Sequence, residues 1–337
     1  MRTKIVRYGF SMICLLLAGS AFGGAASGRE LLLVANKGNQ TLAIVDLAAG
    51  CVLTNVPENG VTGHEVAASS DGKRAFVPIF GNAGVGRPGT DGNLMRVIDL
   101  EQRQIVGTVE FGKPVRPHCA VFGPRNGLLY VTTELDNSVT VVDPQALKVL
   151  GTIPTGQPES HMLAITRDGR RGYVSNVGPG TVSVLDLEAK KLLTIIPVAP
   201  KAQRIALSVD DRRVFTADQT QPRLAVIDTT SNTLTNWVPL PGIAYGTAPT
   251  PDGKSLVVTL PRLGQVGLLD LQTMQCVQTL SVPKAPQEVL VREDGTAAYV
   301  SCDASGQVAV IDLKHWKVER LIDTGPGADG LALARLK

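Results

Sequence analysis

An apolar run that ends in aspartate recurs along this chain and constrains its fold more than any other feature. The intervals between successive copies are 53, 44, 43, 42, 42 and 42 residues. A period of this length predicts one small structural unit repeated along the chain. Each aspartate is expected to accept amide hydrogen bonds from the turn that follows its run. The markers are Asp46, Asp99, Asp143, Asp186, Asp228, Asp270 and Asp312.

Each repeat has room for four short strands, as residues 162–197 show. A first run, 162–166, precedes Asp168-Gly169, a dipeptide that is typical of tight hairpins. Three further runs follow, and they are rich in Val, Ile, Tyr and Thr, which favour strands. We therefore predict an all-β chain of four-stranded antiparallel blades, which is the architecture of a β-propeller.

The two ends of the sequence complement each other. Residues 31–36, 42–46 and 51–56 supply three strands of a blade that has no preceding inner strand. Residues 330–334 supply one inner strand with no further strand after it. The sequence predicts seven blades, in a ring closed where the C-terminal strand joins the N-terminal blade, which removes an open sheet edge.

Three second strands carry a recognisable motif. Residues 130–133, 173–176 and 299–302 read YVTT, YVSN and YVSC, each between a tight turn and an apolar-Asp marker. These repeats resemble those of YVTN-type β-propellers. More distantly, the chain is similar to the propeller domain of nitrous oxide reductase and to lactonase-like propellers. The resemblance implies the fold but no single activity, because such propellers serve different functions.

The first 27 residues have the layout of a cleaved secretory signal. Arg2, Lys4 and Arg7 precede an apolar run at 9–18, and small residues follow it. We therefore predict that 28–337 form the mature propeller, a periplasmic or secreted monomer with no membrane insertion after cleavage. The net charge of +3 and the lack of a basic run give no indication of nucleic-acid binding.

A polar residue occupies the same place in every blade, at the start of the predicted inner strand. In a propeller these positions surround one mouth of the central channel. Strand alternation predicts that their neighbours Glu65, Cys119 and Glu288 point away from the channel. The seven positions, which we call the hub ring, are His64, His118, His161, Arg204, Tyr245, Gln287 and Asp329.

The hub ring leaves three functions open. The leading interpretation is a binding or scaffold protein that takes a small-molecule or protein ligand at the channel mouth. In a second, His64, His118 and His161 hold zinc or copper and leave an open coordination position; no other cofactor is implied. In a third, resemblance to lactonase-like and isomerase-like propellers implies catalysis. His118 or His161 would then be the general base and Arg204 would hold a carboxylate. The candidate acids for that chemistry are Glu134, Asp218 and Asp303.

The longest interval contains an irregular glycine-rich segment at 80–93. Gly84, Gly86 and Gly89 match GxGxxG, but no helical pattern follows, so a dinucleotide site is not predicted. We predict a loop that lies over the channel mouth as a lid, with Arg87 as its ligand-contacting residue.

Overall fold

The computed structural model describes residues 28–336, which form seven four-stranded antiparallel sheets. The sequence prediction of an all-β, seven-bladed propeller is therefore confirmed. No helix in this part of the chain has the length and apolar character needed to cross a bilayer. The predicted secretory signal at 1–27 lies outside the described residues.

The strands follow the chain order. The first three are β1 (Arg29–Asn36), β2 (Thr41–Asp46) and β3 (Cys51–Pro57). Blade 1 holds β4 (Ala67–Ala68), β5 (Arg74–Gly81), β6 (Asp91–Asp99) and β7 (Gln104–Glu110). Blade 2 holds β8 (Pro117–Phe122), β9 (Leu129–Thr133), β10 (Ser138–Asp143) and β11 (Lys148–Pro154). Blade 3 holds β12 (Ser160–Ile165), β13 (Arg171–Asn176), β14 (Thr181–Asp186) and β15 (Lys191–Pro197).

The remaining blades repeat this order. Blade 4 holds β16 (Ala202–Leu207), β17 (Arg213–Asp218), β18 (Arg223–Asp228) and β19 (Thr233–Pro239). Blade 5 holds β20 (Thr247–Pro249), β21 (Ser255–Leu260), β22 (Gln265–Asp270) and β23 (Gln275–Ser281). Blade 6 holds β24 (Pro286–Val291), β25 (Ala297–Cys302), β26 (Gln307–Asp312) and β27 (Lys317–Asp323). Single 3₁₀ turns follow three second strands, at Glu134–Asp136, Pro261–Leu263 and Asp303–Ser305.

Blade 7 joins the two ends of the described chain. The last strand, β28 (Ala328–Leu336), pairs antiparallel with β1, so that Leu31 faces Ala334 and Val34 faces Leu331. The sheet order is β28-β1-β2-β3. The predicted ring closure is confirmed, and no inner strand is left without a partner among the described blades.

The marker aspartates end the third strand of every blade and cap the turn that follows. In blade 3, Asp186 Oδ1 accepts the amides of Glu188 and Ala189 at 3.1 and 2.8 Å. The same two-amide pattern recurs at Asp99, Asp143, Asp228, Asp270 and Asp312. The aspartate that recurs along the sequence is thus the residue that caps these turns.

Apolar side chains from adjacent blades fill the space between them. Tyr173 and Val184 of blade 3 are fully buried and belong to one cluster with Tyr130 of blade 2 and Ile205 of blade 4. This burial removes the apolar faces of the sheets from water, which is the main stabilising contribution. It also fixes the inner strands around the channel.

The ring has two ends with different chemistry. We call the end where the inner strands begin the mouth face, and the opposite end the turn face. Inner and third strands run from the mouth face to the turn face, because alternate strands of an antiparallel blade share one direction. The Asp-Gly turns and the capped turns after the marker aspartates therefore lie on the turn face, and the loops after second strands lie on the mouth face.

Candidate functional site at the channel mouth

The hub ring surrounds the channel as two layers of different exposure. His118, His161, Arg204 and Asp329 lie within inner strands and are at most 4% exposed. His64 and Tyr245 precede the short strands β4 and β20 rather than lying within them, and they are partly exposed. Gln287, in β24, is also partly exposed. The structure thus forms a buried floor and a more open rim.

The three histidines are neighbours, but they pack as rings rather than converging on a point. His118 and His161 stack with ring centroids 3.7 Å apart at 34°, and His64 meets His118 edge-on at 5.5 Å. Stacked rings direct their in-plane lone pairs side by side, whereas one metal ion requires them to converge. Within residues 28–336, no group of three or more His, Cys, Asp or Glu residues is arranged to hold a metal ion. The geometry gives the predicted zinc or copper site no support.

Burial keeps the hub imidazoles neutral. It lowers the pKa of His64 to about 4 and that of His161 to about 3. Burial, followed by the neighbouring imidazole of His161, lowers the pKa of His118 well below its usual value. At neutral pH the histidines therefore contribute hydrogen-bonding groups to the mouth and no positive charge.

A short hydrogen-bonded chain fixes the orientation of His161. Gln203 Nε2 lies 2.8 Å from the Tyr245 hydroxyl and 3.2 Å from His161 Nε2. An amide nitrogen has two protons to donate, so this arrangement makes His161 Nε2 an acceptor and leaves its proton on Nδ1. His161 Nδ1 is buried and has no hydrogen-bond partner among the described residues.

Arg204 crosses the channel and meets three carboxyl groups. Its Nη2 lies 2.8 Å from Glu65 and 3.0 Å from Asp329, and its Nη1 lies 3.6 Å from Glu288. Lys37, at the end of β1, lies 3.0 Å from Asp329 and 3.0 Å from Asp303. This cluster brings together side chains from blades 1, 4, 6 and 7.

The prediction that Glu65 and Glu288 point away from the channel is wrong. Both carboxyl groups face Arg204. The cause is an irregularity in the inner strands: the pairing of blade 6 shifts between Pro286 and Val289. A bulge of this kind resets the alternation, so that successive side chains can face the same side.

The carboxyl groups of the cluster differ in their protonation. Burial raises the pKa of Glu65 well above its usual value, and it also raises that of the neighbouring Glu288. Burial also acts on Asp329, but Lys37 and Arg204 outweigh it and hold the pKa of Asp329 below its usual value. Two adjacent buried carboxyl groups next to one guanidinium favour a shared proton, because two full charges there would repel.

The bulged inner strands depend on the third position of the YVTN-like motif. Thr132 Oγ1 accepts the Cys119 amide at 3.0 Å and donates to the His161 carbonyl at 2.7 Å. Thr216 Oγ1 donates to the Arg204 carbonyl at 2.9 Å. Ser175, at the same position in blade 3, has no partner for its buried hydroxyl within the described chain. Thr132 and Thr216 therefore hold the backbone that carries His161 and Arg204.

The glycine-rich loop between β5 and β6 is anchored at the mouth face by Arg116. This buried side chain lies 2.6 Å from Asp91 and 3.0 Å from Glu134, and it donates to the Arg87 carbonyl at 2.6 Å. Its guanidinium also lies 5.7 Å from the centre of the Phe80 ring. A buried arginine with several fixed partners is a strong anchor, because its planar fork loses little freedom on binding.

Phe80 connects this anchor to the histidines. Its ring centroid lies 4.8 Å from that of His64, 5.1 Å from that of His118 and 6.4 Å from that of His161. The loop thus lies beside the hub ring, on the face predicted for it. Arg87 contributes its backbone carbonyl to the anchor, and its side chain is exposed.

The three candidate acids have separate structural roles. Glu134 is 3% exposed and holds Arg116 and the Gly86 amide, and burial raises its pKa. Asp218 is fully buried and pairs with Arg223 at 2.8 Å. Only Asp303 belongs to the central cluster, through Lys37.

Sequence reasoning missed the residues that complete the site. Lys37, Arg116 and Gln203 lie outside the seven repeated hub positions, and Phe80 stands out in the sequence only as the first residue of the glycine-rich segment. A signal for Arg116 existed, since it immediately precedes β8 and is followed within two positions by His118. The other contacts depend on bulges and loop paths that the repeat does not encode.

Residues 91–238 match a family model described as a lactonase with a 7-bladed β-propeller. The chain resembles lactonase propellers over this stretch. The matched stretch contains His118, His161 and Arg204, and it amounts to less than half of the 337-residue chain. None of the curated proteins is significantly similar in sequence.

Two solved structures share the architecture over most of the chain. Hydrazine synthase from Kuenenia stuttgartiensis aligns with a TM-score of 0.72 at 18% identity, covering 88% of this chain and 99% of its own. A functionally unknown protein from Desulfotomaculum acetoxidans aligns with a TM-score of 0.75 at 15% identity, covering 91% and 99%. Similarity at these identities shows that the fold is shared, and it carries no information about activity.

Proposed function

We propose that this propeller is a binding protein whose mouth face takes a small polar molecule that carries no negative charge. One observation carries the proposal: the two cations of the central cluster, Arg204 and Lys37, are already paired. Arg204 meets Glu65 and Asp329, and Lys37 meets Asp303 and Asp329. An anionic ligand would have to displace one of these buried carboxyl groups, and breaking a buried pair is costly.

The remaining polar groups suit an uncharged or cationic molecule. The cluster holds four carboxyl groups against two cations, so it stays negative even when Glu65 and Glu288 share one proton. The hydroxyl of Tyr245 and the amide of Gln287 lie on the partly exposed rim. Arg204 Nε and Nη1 lack hydrogen-bond partners among the described residues, and a neutral oxygen is a suitable acceptor for such donors.

A matched panel of linear compounds tests this charge preference. The panel is 1,5-diaminopentane, 1,5-pentanediol and glutarate, and binding at the mouth is followed through the imidazole NMR signals of His118 and His161. His315, which is exposed on the turn face next to Asp312, reports separately on the opposite end of the channel, so a shift confined to His315 does not count as binding at the mouth. We expect the diamine to shift the hub signals at the lowest concentration, the diol at a higher one, and glutarate not at all.

Variants that each remove one carboxylate charge then locate the interaction. Asp303→Asn removes a rim carboxylate and is expected to weaken diamine binding about tenfold, the scale of one charged hydrogen bond. Asp143→Asn makes the same change on the turn face and should leave the affinity unchanged. Tightest binding by glutarate, or equal affinities of the two variants, would contradict the proposed charge preference.

Lactone hydrolysis is a second candidate, favoured by the family match over His118, His161 and Arg204. Either His118 or His161 would be the general base, and for His161 the Nε2 atom already faces Gln203. Arg204 would also need to leave its carboxyl partners to hold a substrate. Turnover of a lactone panel, abolished in Arg204→Ala, would establish the hydrolase and displace the binding proposal.

A further inference from the structure

A large cavity opens on the turn face, at the opposite end of the channel from the hub ring. Its volume is about 1310 Å³, and it extends over blades 5, 6 and 7. Leu268, Tyr299 and Leu313 give it apolar lining, and arginines stand around this lining. A space of this size accommodates a small organic molecule.

One arginine of the cavity differs from the others in its partners. Arg29 pairs with Asp46 at 2.6 Å, and Glu30 pairs with Arg292 at 2.7 Å and with Arg335 at 3.2 Å. Arg320 has no carboxylate within ion-pair distance in the described part of the chain. Its Nη2 donates to the Leu47 carbonyl at 2.8 Å, and its Nε is buried without a partner there.

Arg320 is also a departure from the repeat. It faces Val310 across the sheet, at the register shift that each fourth strand shows. No other blade has a charged residue at this position. The equivalent residues, read from the same pairing in each blade, are Thr54, Gly107, Gly151, Thr194, Asn236 and Gln278.

A second departure makes room for this side chain. The fourth residue after each marker aspartate has a positive φ, and in blade 7 that residue is Gly50, with φ 68°. A Cβ atom at Gly50 would collide with Arg320 Nη1. The other six blades place residues with side chains there, namely Arg103, Leu147, Lys190, Asn232, Met274 and Trp316. The two exceptions to the repeat therefore meet each other across the boundary between blades 6 and 7.

Most carboxylates around the cavity are engaged, so they do not neutralise Arg320. Asp46 and Glu30 hold the other three arginines, as described above. Asp252 and Asp294 accept their own turn hydroxyls at 2.6 Å, and Asp312 accepts His315 at 2.6 Å. Of the carboxylates that line the cavity, Asp252 and Glu319 are exposed and have no ion pair among the described residues. Arg320 thus offers a cationic group beside an apolar surface.

We propose that this turn-face cavity binds a small organic anion, a carboxylate or phosphate on an apolar or aromatic body, through the guanidinium of Arg320. A guanidinium matches the two oxygens of such groups with two parallel donors. The apolar body would lie against Tyr299, Leu268 and Leu313. The proposal is independent of the mouth-face function, because the two sites lie at opposite ends of the inner strands.

Calorimetric titration of the full chain with four probes tests the ligand class. The probes are benzoate, benzyl phosphate, the uncharged analogue benzamide and inorganic phosphate. We expect the two organic anions to bind, and benzamide and inorganic phosphate to bind at least about tenfold more weakly. Benzamide binding as tightly as benzoate, inorganic phosphate binding as tightly as benzyl phosphate, or no binding by either organic anion would overturn the proposal.

Three variants assign the binding to Arg320. Arg320→Gln should weaken benzoate binding about tenfold or more, and Arg320→Lys should retain part of it, since a lysine keeps the charge without the fork. Arg213→Gln is the matched control, because Arg213 Nη1 also donates to a carbonyl of the next blade, that of Leu271 at 3.1 Å. Arg213→Gln is expected to keep wild-type affinity. Unchanged affinity in Arg320→Gln, or equal losses in Arg320→Gln and Arg213→Gln, would show that Arg320 only joins two blades.

Discussion

Arg204 in blade 4 lies 3.0 Å from Asp329 in blade 7, and the two residues are separated by 125 positions in the chain. This contact spans the channel, and it is almost completely shielded from solvent, since both side chains are 4% exposed. The guanidinium therefore links two blades that are not neighbours in the ring.

Replacing Arg204 by methionine should destabilise the propeller. The variant leaves Glu65, Glu288 and Asp329 buried with less positive charge, and removing one partner of a buried pair costs about 3–5 kcal/mol. Urea unfolding at pH 7 measures the loss. Arg167→Met is the control, because Arg167 is exposed and 3.9 Å from its partner Asp211, so a change below about 0.5 kcal/mol is expected. Similar unfolding free energies for the two variants would show that the Arg204 cluster does not stabilise the propeller.

His161 should make stability fall in acid. Its pKa is about 3 in the folded state, below the ordinary value of 6.5, so the unfolded chain binds the proton first. The stability from this group is complete above pH 6.5 and decreases as the pH falls toward 3. Between pH 7 and 4.5 the loss amounts to about 2–3 kcal/mol.

A variant without a titratable group at this position tests the pH effect. His161→Gln should flatten the decline in unfolding free energy between pH 7 and pH 4.5 relative to the wild-type protein. Identical pH profiles for wild type and His161→Gln would show that His161 binds its proton equally well in the folded and unfolded states.

The third position of the motif provides a test within one repeat. Thr132→Val removes the hydroxyl that bonds the Cys119 amide and the His161 carbonyl, and it keeps the shape of the side chain. The loss of stability should be about 1–3 kcal/mol, because buried backbone groups are left without partners. Ser175→Ala deletes a buried hydroxyl that has no partner in the described structure, and it should be neutral or stabilising. Equal effects of both variants on thermal unfolding would argue against the anchoring role.

Arg116 should control the mobility of the glycine-rich loop between β5 and β6. Arg116→Gln removes contacts to Asp91 and Glu134 and to the Arg87 carbonyl, so the loop is expected to open more often. Hydrogen exchange at the Gly86 amide, which donates to Glu134, should accelerate about tenfold or more, in keeping with the loss of about 1.4 kcal/mol or more. Arg125→Gln, at an exposed arginine of blade 2, serves as the control. An unchanged exchange rate at the Gly86 amide in Arg116→Gln would show that Arg116 does not anchor the loop.

The sequence predicted most of the fold because its periodic residues have local tasks. Asp186 caps its own turn, and Gly169 takes the positive φ of 68° that a tight turn requires. Such tasks depend on a few neighbouring residues, so they repeat visibly. Ring closure followed from the unmatched strands at the two ends, and the pairing of β1 with β28 confirms it.

The candidate site was predicted less completely, because its geometry depends on departures from regular strands. The repeat located His118, His161 and Arg204 near one another. It could not show that a bulge turns Glu65 and Glu288 toward Arg204, since strict alternation assigns them to the other side. Nor could it show that the histidine rings stack instead of converging, because ring orientation is set by packing against Phe80.

Pairing of β28 with β1 also has a consequence for the order of folding. Asp329 lies on β28, so Lys37 and Arg204 meet this partner only after the strands of blades 1 to 6 have been synthesised and β28 has reached β1. Bringing together segments separated by about 300 residues is slow, because the entropy of a long loop must be lost first. Six blades can be built during synthesis with the mouth still lacking Asp329, and the last strand completes the site.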